Sequence, residues 1–231
     1  MTTLKVLGGG AAHGLVTALT DEIEAAAGTA PTGDYGPVGG MRDRVVAGEA
    51  VDVIILTKAL IADLVAAGIA DAGTVADIGS VATGVAVREG VDAPDITSSA
   101  ALASTLQKAE AIFVPDMTAS TAGRHVASVL RDLDPDGALA GRVQEFPGGL
   151  PAMKALASSD ATSAIGLTQV TEIMNSGGVT YCGPLPAPHG LDTIYTAAVA
   201  TNAQNAPAAR EMVRILTAPE QAPTRKERGF G

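Results

Sequence analysis

The chain has 231 residues, 47% hydrophobic and 17% charged, which is enough apolar sequence to bury a core and argues against intrinsic disorder. Its net charge of −10 argues against a nucleic acid or an anionic membrane surface as the partner. The single cysteine, Cys182, excludes an internal disulfide, and no apolar run is long enough to insert into a membrane.

Strand-like and helix-like segments alternate along the chain. Short apolar runs predict strands at residues 4–7, 51–56, 81–87, 111–114, 163–167, 179–182 and 194–200. Amphipathic or capped segments predict helices at residues 15–27, 61–67, 99–109, 122–133, 151–158, 171–175 and 206–217, with a short helix after Pro219. This alternation predicts an α/β protein with mostly parallel sheets and helices on both faces.

The alternation pauses twice, which predicts two Rossmann-like lobes joined by a two-strand hinge. Residues 79–84 form a glycine-containing strand after an irregular stretch, and residues 183–188 are rich in proline and therefore stiff and extended. We expect lobe 1 to contain residues 1–82 and 190–231 and lobe 2 to contain residues 83–189, with a ligand in the cleft between the lobes.

A glycine cluster, Gly8, Gly9 and Gly10, stands between the first strand and the first helix. A strand-to-helix turn of this kind leaves backbone N–H groups that can hold an anion, although a tight turn with positive φ would also explain the glycines. Similar turns recur near Ser120 and Thr168. The lysine and acidic residue of nucleotide-binding motifs do not follow the cluster, so no cofactor is predicted. The three histidines are too scattered to indicate a metal site.

The order of these motifs resembles the type 2 periplasmic-binding-protein fold, in its molybdate-binding-protein-like branch. The segments that carry the resemblance are residues 5–13, 38–40, 46–53, 120–125, 164–169 and 229–230. Residues 169–174 and 183–186 further resemble a set close to aconitate isomerase. This resemblance implies a di- or tricarboxylate or an oxyanion as ligand, and allylic isomerisation of a carboxylate by proton transfer.

The chain departs from that branch in its first two loops. Molybdate binders usually present serine hydroxyls there, whereas residues 8–12 and 36–40 contain no hydroxyl group. This departure weakens the case for a tetrahedral oxyanion and favours a bulkier ligand held by backbone amides.

The candidate site residues follow the strand ends and the resemblance. The candidates for proton transfer are His13 and Lys58. The alternatives are a surface or capping role for the histidine and an exposed lysine at a helix start. Ser120 and Thr121 either contact the ligand or only cap a helix. The full ligand-binding set is Gly9, Gly10, Ala11, Ala12, Gly39, Gly40, Thr57, Ser120, Thr121, Ala122, Thr168, Gln169 and Tyr195.

Two functions remain open at this point. One is a cytoplasmic isomerase of small unsaturated carboxylates, and the other is a non-catalytic solute-binding protein that delivers an oxyanion or carboxylate to a permease. Residues 1–3 lead directly into a strand without the pattern of a secretion signal, which predicts a cytoplasmic protein; a trimmed export signal would make it periplasmic. This expectation favours the isomerase.

Overall fold

The computed structural model describes residues 3–231, which form two compact α/β units. The first unit contains residues 3–81 together with Thr193–Gly231, and the second is Ala82–Asp192. The chain therefore leaves the first unit once and returns to it once. No helix in the described part of the chain is both long and apolar enough to cross a membrane.

Strands and helices alternate through most of the chain. In chain order the strands are β1 (Leu4–Gly9), β2 (Pro31–Gly36), β3 (Val53–Thr57), β4 (Ala76–Arg88), β5 (Ala111–Pro115), β6 (Val143–Phe146), β7 (Ala164–Gln169), β8 (Val179–Pro184) and β9 (Asp192–Val199). The helices are α1 (His13–Ala18), α2 (Thr20–Ala27), α3 (Val38–Val46), α4 (Lys58–Ala66), α5 (Ser99–Lys108), α6 (Thr121–Leu133), α7 (Gly149–Ala157), α8 (Val170–Met174), α9 (Ala206–Thr217) and α10 (Ala222–Glu227). Short 3₁₀ turns lie at Gly10–Ala12, Ala72–Thr74, Ala140–Arg142 and Pro219–Gln221.

The sheet of the first unit has the strand order β2-β1-β3-β9. Strand β1 pairs in parallel with both β2 and β3, and β9 runs antiparallel to β3. The first four residues of β3 are fully buried, which is why that strand is a continuous apolar run. Because β1, β2 and β3 are parallel, their carboxyl ends lie at one edge of the sheet.

The sheet of the second unit has the strand order β8-β4-β7-β5-β6. Strand β5 pairs in parallel with β6 and β7, and β4 runs antiparallel to β7 and β8. Two apolar clusters pack on this sheet, one around Leu102, Val126 and Ile165 and the other around Phe113 and Met153. The carboxyl ends of β5, β6 and β7 therefore also share one edge.

The structure contains three elements that the sequence pattern did not indicate: β2, α3 and β6. Strand β2 is an exposed edge strand, and α3 opens on Val38-Gly39-Gly40, which has a low helix propensity. Strand β6 is likewise only half-buried. The predicted helix at residues 15–27 is instead two helices, because the backbone at Leu19 leaves the helical region (φ −103°, ψ 8°).

Candidate functional site

Three helical segments of the first unit begin at the carboxyl ends of its parallel strands. The Gly10–Ala12 turn, which leads into α1, follows β1, while α3 follows β2 and α4 follows β3. We call this group of helix starts the first edge. The residues at the N-cap positions of these starts, Gly9, Pro37 and Thr57, make no side-chain hydrogen bond to the turns that follow. Uncapped helix starts present N–H groups and a positive dipole end, which favour an anion.

Close packing explains the glycines at the end of β1. A Cβ atom at Gly8 would lie 2.9 Å from two ring carbons of Tyr35, and one at Gly9 would lie 2.7 Å from Val38 Cγ1 and 2.8 Å from Tyr195 Cε1. Neither these two glycines nor Gly10 has a positive φ, so the alternative explanation as a tight turn was wrong. Glycine at these two positions therefore lets side chains of β2, α3 and β9 pack directly on the backbone of β1.

His13 is the first residue of α1 and its side chain is exposed. The centroid of its imidazole ring lies 4.9 Å from that of Tyr35, with the planes tilted by 49°. Burial raises the pKa of the Tyr35 hydroxyl, so this side chain is a neutral phenol at physiological pH. Sequence reasoning missed Tyr35; the available signal was its position directly before the Gly36 loop.

Lys58, the other candidate for proton transfer, is in an ion pair. Its Nζ lies 2.6 Å from Asp77 Oδ2, and Asp77 Oδ1 accepts a 2.6 Å hydrogen bond from Thr196. The hydrogen bond from Lys58, followed by that from Thr196, lowers the pKa of Asp77. Sequence reasoning missed Asp77, because 19 residues separate it from Lys58 and 119 from Thr196.

Tyr195 is buried on β9, where it pairs across the sheet with Thr57. Its ring lies against Gly9 and meets Phe230 edge to face at a centroid distance of 6.4 Å. In the first turn of α3, Gly39 is half-buried and Gly40 is exposed. The first edge therefore brings together the predicted residues Gly9, Gly10, Ala11, Ala12, His13, Gly39, Gly40, Thr57, Lys58 and Tyr195.

In the second unit, α6, α7 and α8 begin after β5, β6 and β7, and we call these helix starts the second edge. Ser120 caps α6: its Oγ accepts a 2.8 Å hydrogen bond from the Gly123 N–H and donates a 3.0 Å bond to the Asp116 carbonyl. Arg124 donates to the carbonyls of two residues in the preceding loop, Thr118 and Ala119. The hydroxyl of Ser120 and the guanidinium of Arg124 thus both hold the loop.

The predicted residues Thr168 and Gln169 end β7, and they surround a buried carboxyl group that sequence reasoning missed. Glu172 accepts a 2.6 Å hydrogen bond from Thr168 Oγ1 and further bonds from the N–H groups of Gly149, Leu150 and Gln169. Burial, which outweighs these bonds, raises the pKa of Glu172. The available signal was the spacing of Thr168 at the end of β7 and Glu172 in the first turn of α8, four residues apart.

The second edge therefore contains the remaining predicted residues, Ser120, Thr121, Ala122, Thr168 and Gln169. Two of them, Thr121 and Ala122, are in the first turn of α6, where Thr121 is half-buried and Ala122 is buried. No three His, Cys, Asp or Glu side chains cluster as metal ligands within the described residues.

Comparisons with known proteins agree on the fold. The family model of the bacterial extracellular solute-binding proteins matches residues 4–231. Aconitate isomerase from a Pseudomonas species is 25% identical over 237 residues, which cover all of this chain and 88% of that protein. The periplasmic molybdate-binding protein of Azotobacter vinelandii superposes with a TM-score of 0.79 at 16% identity, covering 99% of this chain and 98% of the other. The sulfate-binding protein of Mycobacterium tuberculosis superposes with a TM-score of 0.77 at 16% identity, covering 100% and 86%. The architecture is the type 2 periplasmic-binding-protein fold.

Proposed function

Because the chain belongs to the bacterial extracellular solute-binding protein family, we propose that it binds a small organic carboxylate, and that it shifts a double bond in that ligand as an aconitate isomerase does. The observation that carries the second part is the alignment with aconitate isomerase over the full length of this chain. A conserved binding fold is not itself a catalyst, so the chemistry must come from the side chains at the site.

The first edge supports the binding part of the proposal. Its three helix starts lack side-chain caps, and residues 8–12 and 36–40 supply no hydroxyl group. Carboxylate oxygens accept hydrogen bonds from backbone N–H groups and are stabilised by the positive ends of helix dipoles. A di- or tricarboxylate offers several such oxygens, which suits several separate donor groups.

His13 is the residue we assign to proton transfer. An allylic shift needs a base that removes a proton from the saturated carbon beside the double bond. The electron pair then spreads over the three carbons and the adjoining carboxylate, and the imidazolium returns the proton to the far carbon. His13 is exposed at the start of α1, and an imidazole side chain can both accept and return a proton.

Lys58 suits a different part in the same reaction. An ion-paired ammonium has no lone pair to accept a proton, and Asp77 lies 2.6 Å from its Nζ. We therefore assign Lys58 to charge balance, in which its positive charge and the N–H groups of the first edge together stabilise the delocalised anion.

A second candidate function is a non-catalytic receptor for an oxyanion, delivered to a permease. The structural likeness to molybdate- and sulfate-binding proteins favours it. In that case molybdate or sulfate would bind and no carbon–hydrogen bond would be broken.

Proton NMR in deuterated water separates the two candidates. The protein is incubated with cis-aconitate, trans-aconitate and related unsaturated acids. The isomerase proposal expects interconversion with deuterium at the allylic carbon, loss of both in His13→Ala, and retention in Thr17→Ala, a matched change at another exposed position of α1. Thermal unfolding is followed in parallel. A rise in Tm with molybdate or sulfate, without one for any carboxylate and without turnover, would replace the isomerase by the receptor.

A further inference from the structure

The register of the first-unit sheet places Tyr35 beside the start of α1. Strand β2 pairs with β1 so that Tyr35 is opposite Gly8, one residue before the carboxyl end of either strand. The Tyr35 ring covers the bare backbone of Gly8, where any Cβ atom would come within 2.9 Å of it. Its position is therefore fixed from two sides, by strand pairing and by the glycine beneath it.

The side chain of His13 is held by fewer contacts than the ring of Tyr35. It is exposed, it opens α1, and the ring contact with Tyr35 at 4.9 Å is the one that the structure gives its imidazole within residues 3–231. Tilted ring pairs at this separation attract each other. An imidazole without such a neighbour would exchange between rotamers, and a base that is displaced by about 1 Å can lose about a hundredfold in rate.

We propose that Tyr35 is a positioning residue that holds the His13 imidazole in the orientation needed for proton transfer. The inference rests on the proposed function, in which His13 is the base. It assigns the task to the aromatic ring of Tyr35, since the ring is the part that contacts both Gly8 and His13.

The charge state of Tyr35 suits this task. A tyrosine of ordinary pKa is already protonated at neutral pH, and burial raises the pKa of Tyr35 further, so this residue places no negative charge beside the imidazole. A neutral ring orients the imidazole without trapping its proton.

Three variants test the proposal by kinetics. Tyr35→Phe keeps the ring, Tyr35→Leu removes it, and Tyr181→Leu is the matched control in the second unit. We expect Tyr35→Phe to keep kcat within about twofold and Tyr35→Leu to lose about ten- to a hundredfold in kcat with little change in KM. Tyr181→Leu should keep kcat. If Tyr35→Leu does not fold, Tyr35→Met fills the same space without an aromatic ring.

NMR of the three histidine side chains gives a readout that does not depend on turnover. His13→Ala assigns the His13 signals, and the Tyr35 ring current should displace them in the wild type and in Tyr35→Phe but not in Tyr35→Leu. If the His13 chemical shifts in Tyr35→Leu were the same as in the wild type, the proposal would be overturned, even if the wild type proved inactive on every acid. Unchanged kcat in Tyr35→Leu, or a rise in KM alone, would also overturn it in an active enzyme.

Discussion

Replacing the buried Glu172 tests how the second edge is held together. In Glu172→Ala the Thr168 hydroxyl and the N–H groups of Gly149, Leu150 and Gln169 lose their acceptor. Each buried donor left without a partner costs about 1–3 kcal/mol, and some will turn to water in the space that the side chain vacates. We therefore expect a loss of about 3–5 kcal/mol in the free energy of unfolding.

Glu172→Gln separates the role of the acceptor from that of the charge. The amide oxygen can still accept the N–H bonds, and its NH₂ group can donate to Thr168 Oγ1, so we expect a loss under about 1.5 kcal/mol at neutral pH. The two variants are measured by urea unfolding, with Glu89→Gln as the control at an exposed position. A Glu172→Ala protein as stable as the wild type would refute the assigned bonds.

The raised pKa of Glu172 determines the sign with which the free energy of unfolding depends on pH. Burial raises the pKa of Glu172 above its ordinary value of 4.5, so the folded protein retains a proton that the unfolded chain has already released. The wild type should lose stability relative to Glu172→Gln as the pH rises from about 4.5 towards the folded-state pKa, and the difference should level off above it. A difference that grows in favour of the wild type with rising pH would show that the ionised form is the one the fold prefers.

Four further substitutions, one of them a control, probe other contacts by urea unfolding. Gly149→Ala would make its Cβ overlap Glu172 Oε2, and we expect a loss of about 3 kcal/mol, whereas Gly141→Ala, whose Cβ meets nothing within 4 Å, should be close to neutral. Ser120→Ala should cost about 1 kcal/mol because the α6 cap is lost, and an unchanged stability would contradict that role. Asp77→Asn breaks an ion pair that is largely open to solvent, so it should cost less than about 1 kcal/mol. Since the pKa of Asp77 is lowered, that small contribution should be present near neutral pH and vanish as the pH falls through its folded value.

Sequence patterns predicted most of the fold because its central elements carry strong local signals. The predicted helix at residues 206–217 matches α9, whose larger apolar residues, Met212, Val213, Ile215 and Leu216, are all buried. Strand β3 was recognisable as an apolar run that is buried on both faces. Strand β2 was not, because Pro31, Gly33 and Asp34 give no strand signal and its pairing with β1 is what makes it a strand.

In the candidate site, too, local sequence signals predicted some features and long-range pairing determined the others. Helix starts after parallel strands follow from the alternation of elements, so the positions of these helix starts could be anticipated. The partners of side chains could not, since they depend on the register between strands distant in sequence: Tyr35 reaches His13 through the pairing of β2 with β1, and Lys58 meets Asp77 across 19 residues.

The two edges differ in how their helix starts are satisfied, and this difference bears on where a ligand's charge would be balanced. At the second edge the chain supplies its own acceptors: Ser120 takes the Gly123 N–H, and the Glu172 carboxyl takes those at the starts of α7 and α8. At the first edge the side chains of the N-cap residues Gly9, Pro37 and Thr57 accept no such hydrogen bond. Because an N–H group already bonded to an internal oxygen contributes little to a new anion, the first edge has the larger capacity to stabilise carboxylate charge. His13 lies on that same edge, so the group proposed to move a proton is next to the amides best able to stabilise the anion that its removal creates.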